Sequence, residues 1–149
     1  MLIKNKINIL MISSSSSLGG GTKHMFMLGE NLDSEFNVFY GIPKNSNFEN
    51  HLEPNIHIEI SERKLSFIDI FKLIVFIKSK SIDIIHAHGK GAGIISRILK
   101  IFTFRPLIYT FHGIHLKCHS RLMRITYIIY EFLLGGLDSI KILVSESEK

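Results

Sequence analysis

Apolar positions along the chain fall into short unbroken runs, separated by stretches in which they recur every three to four residues. Lys6 to Ser13 reads as a strand apolar on both faces, as in the middle of a parallel sheet. Met25, Leu28 and Leu32 then recur at helical spacing. Asn37 to Tyr40 and Ile56 to Ile60 read as two more strands, and the Asn- and Pro-rich Gly41 to Pro54 as the loop between them. Leu65 to Lys80 predicts a helix, interrupted mainly by Asp69, Lys72 and Lys78. A helix so apolar is expected to be buried; the alternative is one flank facing a membrane or a partner domain. A run from Ile82 ends in His86-Ala87-His88-Gly89, a helical segment covers Ile94 to Phe102, and a run from Pro106 ends in Thr110-Phe111-His112-Gly113. Ser120 to Leu137 reads as a long helix closed by Gly135-Gly136, Ser139 to Val144 as a sixth strand, and Ser145 to Lys149 as the opening of another helix. The pattern predicts one α/β domain of three layers, Rossmann-like, around a mainly parallel sheet of about six strands.

The chemistry gathers where those strands end. In an open parallel α/β sheet, ligands sit outside the carboxyl ends of the strands, and two strands here deliver imidazoles to that rim. Gly19, Gly20 and Gly21 form a turn between the first strand and the first helix, where backbone amides can approach a phosphate. Two other phosphate loops are excluded. The dinucleotide fingerprint needs a third glycine where His24 stands, and Gly21-Thr22-Lys23 has the wrong order for a P-loop. His86 and His88 share a strand face and could bind zinc with His112, His115, Cys118 or His119, yet the downstream spacing matches no standard zinc pattern. His86 is expected to pack within its strand, and His88 and His112, each followed by glycine, to contact ligand. Arg97 and Lys100 are expected to be solvated on the outer side of their helix. Lys117, His119, Arg121 and Arg124 put positive charge at a helix N-terminus, against the macrodipole, which favours an anion-binding role, including a membrane patch at Lys117, Arg121 and Arg124.

Composition narrows the classes. At 149 residues, 46% hydrophobic and 21% charged, the chain suits one globular domain rather than disorder. The net charge of +5 comes from scattered lysines, which suits an anionic lipid surface or a phosphorylated substrate as well as a merely solvated face. A nucleic-acid partner is not expected. A single cysteine, Cys118, allows no internal disulfide and fits a reducing compartment. The apolar run Ile7 to Ile12 is short for a signal peptide, and no run reaches the ~18–20 residues that span a bilayer. A cytoplasmic protein, or one peripheral on the inner face of the cell membrane, is expected.

In order along the chain, several features resemble the N-terminal domain of GT-B glycosyltransferases of the retaining family 4 type. They are Gly19-Gly20-Gly21 with His24; Asp83-Ile84-Ile85-His86-Ala87-His88-Gly89 with Ala92-Gly93; Tyr109-Thr110-Phe111-His112-Gly113; Glu131; and Asp138 with Val144-Ser145-Glu146. The resemblance implies an acceptor-side domain that works with a second, nucleotide-sugar-binding half, which this sequence lacks. It implies the glycine loop at the donor diphosphate, His112 as the catalytic residue at the donor sugar, and His24, His88 and Gly89 lining the acceptor pocket. It implies a glycan or lipid-linked acceptor in bacterial surface polysaccharide synthesis, no cofactor and no metal. Activity of this chain alone is not expected. Two other classes remain open on the residues: a non-catalytic sugar- or phosphate-binding module, and a metal-dependent hydrolase built on His86, His88 and His112.

Overall fold

The structure, a computed structural model, describes residues 6–17, 19–44, 46, 52–53, 55–112 and 121–144, with backbone only for Met123 and Arg124. Six strands form one sheet: β1 (Ile7–Ser13), β2 (Phe36–Pro43), β3 (His57–Ile60), β4 (Ile84–His88), β5 (Leu107–Phe111) and β6 (Ile140–Leu143). Their order is β3-β2-β1-β4-β5-β6, and every pairing is parallel. The helices between them are α1 (Gly20–Glu30), α2 (Phe67–Ser79), α3 (Lys90–Thr103) and α4 (Arg121–Leu134), followed by a 3-10 turn at Gly135–Leu137. β1 feeds β2 on one side and pairs with β4 on the other, so the topological switch lies between β1 and β4, where ligands of such sheets bind.

The two faces of β1 build two cores. Leu10 and Ile12 pack with Leu73 and Ile77 of α2 and Ile95 and Leu99 of α3. Ile9 and Met11 pack with Met25 and Phe26 of α1 and with Tyr40 and Ile42 of β2. Both faces are buried because each is covered by helix, which is why these strands read as continuous apolar runs. That is the expected three-layer arrangement.

The structure corrects several expectations. β2 runs on through Gly41, Ile42 and Pro43, which pair with Ile58, Glu59 and Ile60 of β3. Pro43 is tolerated because it is the strand's last residue, where a missing amide costs least. α3 begins at Lys90, four residues early, taking Gly91 and Gly93 into its first turns. α2 is not buried all round: Phe67, Ile68, Phe71 and Val75 lie outside, Phe67 at 88% exposure. Its inner face is held by Ser66, whose hydroxyl caps the Asp69 amide, and by Asp69, which accepts the Ser61 amide.

Arg97, expected in solvent, is 1% exposed. From α3 its guanidinium donates to Asp138 at 2.7 and 2.9 Å and to Glu131 of α4 at 2.8 and 3.1 Å. Tyr109 and Tyr130 flank it at 5.1 and 5.0 Å from their ring centroids. Burial works against its charge, but the hydrogen bonds to Asp138 and Glu131 outweigh it and raise its pKa. Glu131 is likewise held below the usual carboxylate range, its burial being overcome by the bonds and charge of Arg97. This cluster fastens α3, α4 and the start of β6 together. β6 itself is exposed along its length, and α4 exposes Leu122, Ile129, Phe132 and Leu133. Among the described residues, no helix is long and apolar enough to cross a membrane.

Candidate functional site

β1, β4 and β5 run in register, so Ser13, His88 and Thr110 stand side by side at the strand ends. His112 follows β5 by one residue, and His88 Nδ1 lies 3.4 Å from His112 Nε2. His24 reaches the same place from α1, its ring 5.4 Å from that of His112 and 5.8 Å from that of His88. His88, His112 and the glycine turn therefore share one rim.

The glycine turn is built around His112. A Cβ on Gly21 would stand 3.0 Å from His112 Cδ2, so the bare backbone lets the imidazole lie against the first turn of α1. Gly19 ends the turn without a side-chain cap, and the first helical bond runs from Lys23 to the Gly19 carbonyl. The amides of Gly20, Gly21 and Thr22 precede that bond, and the turn carries no acidic residue. They are donors at the positive end of a helix, suited to an anion. On the other side, Gly89 adopts φ +83°, the left-handed region that favours glycine, as the chain turns from β4 into α3.

Burial sets the protonation of this cluster. His86 and His88 are each 4% exposed, with ring centroids 4.2 Å apart. Burial first, and then the neighbouring imidazoles, depress His86 to about 4 and His88 to about 2. Both are neutral at pH 7. His86 Nε2 pairs with Thr110 Oγ1 at 2.8 Å, so it is packed and satisfied inside its strand. Among the described residues His88 Nε2 is buried without a hydrogen-bond partner, a costly state that a ligand could relieve.

The trio that converges is His24, His88 and His112, whose nearest ring nitrogens all lie within 4.8 Å of one another. His86 does not complete it, contrary to the hydrolase arrangement of His86, His88 and His112. A tetrahedral zinc ion with bonds of about 2.0 Å would draw its nitrogens to about 3.3 Å, closer than this trio stands as a whole. As they stand, the imidazoles on this rim are suited to exchanging hydrogen bonds with sugar hydroxyls. Of the basic patch, Arg121 is exposed at the start of α4; Lys117 and the side chain of Arg124 lie outside the described residues, as do His115, Cys118 and His119.

Known proteins resemble this chain. The model of the glycosyl transferase 4-like family matches residues 23–145. A search of curated proteins finds no match. The crystal structure of Anabaena Alr3699/HepE in complex with UDP and glucose aligns at TM-score 0.66 and 17% identity, over 91% of this chain and 37% of that one. The same protein in complex with UDP aligns at TM-score 0.67 and 19% identity, again over 91% and 37%. The chain thus spans well under half the length of that structure, and at such identity the likeness is one of fold. The family match extends over most of the sequence, from α1 to just past β6, and on it the chain belongs to the glycosyl transferase 4-like family.

Proposed function

We propose that this domain is the acceptor-binding half of a retaining glycosyltransferase. It would transfer a sugar from a nucleotide sugar to a glycan or lipid-linked acceptor in bacterial surface polysaccharide synthesis. The observation that carries this reading is the convergence of His24, His88 and His112 on one rim, with the uncapped start of α1 packed against His112. In such a transfer the bond from the sugar C1 to the diphosphate breaks, and the acceptor oxygen attaches to C1 on the same face as its hydroxyl proton passes to the leaving diphosphate. The leaving diphosphate gathers negative charge, and the amides of Gly20, Gly21 and Thr22 are pre-oriented donors for it. His112 would hold a hydroxyl of the donor sugar, while His24 and His88 line the acceptor side. UDP and glucose in the HepE crystals support a uridine nucleotide sugar as donor.

Orientation in a two-walled cleft supplies much of the rate in a reaction of this kind, and this chain supplies one wall. The apolar residues left uncovered on α4 and β6 support a further polypeptide body beside it. The scattered lysines and Arg121 support a cytoplasmic location, peripheral on the inner face of the membrane. Separate titrations test the assignment. The chain alone should bind oligosaccharides from a bacterial glycan array and bind UDP-glucose at least tenfold more weakly. Tight UDP-glucose binding with no glycan binding would refute an acceptor half, and glycan binding without turnover in the completed enzyme would leave only a binding module.

A further inference from the structure

The two ring nitrogens of His88 stand in different surroundings. Nδ1 lies 3.4 Å from His112 Nε2, whereas Nε2 is enclosed with no partner among the described residues. The centres of the His88 and His112 rings are 5.6 Å apart and their planes differ by 25°, so the rings meet nitrogen to nitrogen along their edges rather than face to face. A separation of 3.4 Å is long for a hydrogen bond, as catalytic pairs often are until a ligand tightens the site. Both rings are held. His86 lies against His88 with centres 4.2 Å apart, and Thr110, the register partner of His88, fixes His86 through a bond of 2.8 Å. The Cδ2 side of His112 rests against Gly21, where a Cβ would stand 3.0 Å away, and His24 meets the same ring edge-on at 5.4 Å.

These surroundings select one of the two ways the proton between the rings can lie. A neutral imidazole carries one N–H, so a donor at one nitrogen leaves a bare lone pair at the other. Were His112 to donate from Nε2, in either of its charge states, His88 would accept at Nδ1. The proton of His88 would then sit on Nε2, as a buried N–H with nothing to bond. Among buried groups an orphaned N–H is the rarer defect, and an unmet acceptor is better tolerated. Burial and the neighbouring imidazoles hold His88 far below its ordinary pKa, so a ring protonated on both nitrogens does not form at neutral pH. The proton of His88 therefore belongs on Nδ1, facing His112. His112 Nε2 accepts it, which leaves the proton of a neutral His112 on Nδ1, across the ring from the Gly21 contact.

We propose that His88 is a positioning residue: its Nδ1–H donates to His112 Nε2 and locks His112 in the Nδ1–H form, with the plane of its ring set against the glycine turn. A ligand oxygen that meets His112 Nδ1 then meets a fixed donor. The hydrogen-bonded pair stands on the geometry alone. Its consequence, the orientation of His112 at the donor sugar, rests on the glycosyltransferase reading. Such setting matters because a small misplacement of a catalytic group costs rate even where binding survives.

Nitrogen NMR of the full chain reads both rings without turnover, because protonated and bare ring nitrogens resonate far apart. Signals lost in His112→Ala and in His88→Leu assign them. The parent should show a protonated Nδ1 and a bare Nε2 in both rings. In His88→Leu, which keeps bulk and removes the donor, the His112 nitrogens should move towards the averaged positions of a ring exchanging between its forms. In His88→Asn, whose amide nitrogen takes the place of Nδ1, the parent pattern of His112 should return. In the completed enzyme His88→Leu should lower kcat about tenfold or more with the KM for UDP-glucose little changed, and His88→Asn should recover most of that loss. A parent His112 protonated on Nε2 overturns the proposal by itself, whether or not the variants fold. So does a His112 pattern unchanged in His88→Leu, or a His88→Asn enzyme as slow as His88→Leu. Sugar transfer by a completed enzyme whose His112 is protonated on Nε2 overturns the positioning and leaves the transferase standing; the expected pattern in a completed chain that transfers no sugar keeps the histidine pair and removes the transferase.

Discussion

Replacing Arg97 with leucine should loosen the far side of the sheet. In the folded chain its guanidinium is the main partner of Asp138, whose side chain is 0% exposed, and of Glu131, at 20%. Lys141 also reaches both, at 3.5 and 3.6 Å, but it is 42% exposed and offers a single point charge. Leucine fills much of the space and supplies no donor, so two carboxylates are left with Lys141 as their shared cation and the Tyr127 hydroxyl on Glu131. Removing one partner of a buried ion pair costs about 3–5 kcal/mol. For a chain of this size each kcal/mol moves the melting temperature by about 2–4 °C, so a fall of roughly 6–20 °C is expected. Arg97→Lys keeps the charge but loses the planar fork that serves both carboxylates, and should fall in between. Neutralising the acids as well, with Glu131→Gln and Asp138→Asn in the leucine background, should recover much of the loss. Calorimetry gives the melting temperature, and hydrogen exchange should show the β6 amides opening first in Arg97→Leu. A melting temperature within about 2 °C of the parent, less than one kcal/mol would produce, with β6 protection unchanged, would refute the role given to this cluster.

The buried histidines make stability depend on pH. Unfolded, His86 and His88 titrate near 6.5, whereas folded they titrate near 4 and 2. Below pH 6.5 the unfolded chain binds more protons, so the stability present above that value is lost on acidification, by about 2 kcal/mol per histidine at pH 5. Urea midpoints at pH 7.5 and pH 5 would show it, and flat midpoints would count against neutral buried imidazoles. Gly21→Val should displace His112, since even a Cβ meets that ring at 3.0 Å; the melting temperature should change by only a few degrees while transfer by the completed enzyme falls at least tenfold. Adhesion to anionic vesicles should be salt-sensitive, because exposed charges such as Arg121 are screened within about 8–10 Å at ordinary ionic strength. Equal co-sedimentation with neutral and anionic vesicles would rule that adhesion out.

Much of the fold can be read from the sequence because central parallel strands have little freedom to look like anything else. Runs such as Ile9 to Ile12, covered on both faces, announce themselves by composition, and their ends are marked by glycine and histidine. Where glycine and proline look like breakers, packing overrides the local signal. Gly41 stays in β2 because the space over it belongs to Ile12, and Gly91 and Gly93 enter α3 because Ser14 and Tyr109 crowd their Cα atoms. The histidine rim is legible in part, since strand ends fix where His88 and His112 must lie. His86 reads as a packed strand residue, and Thr110 of the neighbouring strand is what claims it; His24 enters through the resemblance and not through the spacing of its own helix. Arg97 escapes the pattern for a similar reason. Helical period puts it away from the sheet, but Glu131 and Asp138, 34 and 41 residues on, cover that side. Two acids in an otherwise apolar and basic stretch are the one signal that points to a buried cation. The exposed aromatic flank of α2 is hidden by its very apolarity, which looks the same for a core helix and for a groove wall.

The central claim is that this domain forms one wall of a transferase whose chemistry passes His112. The most direct measurement joins the chain to a nucleotide-binding C-terminal half, in cis or in trans, and follows transfer from UDP-glucose to an acceptor that the chain binds. The account predicts no transfer by the 149-residue chain alone, transfer on completion, and a loss of about a hundredfold or more in kcat with His112→Ala at unchanged melting temperature. Transfer by the chain alone, or completed activity indifferent to His112, would contradict it.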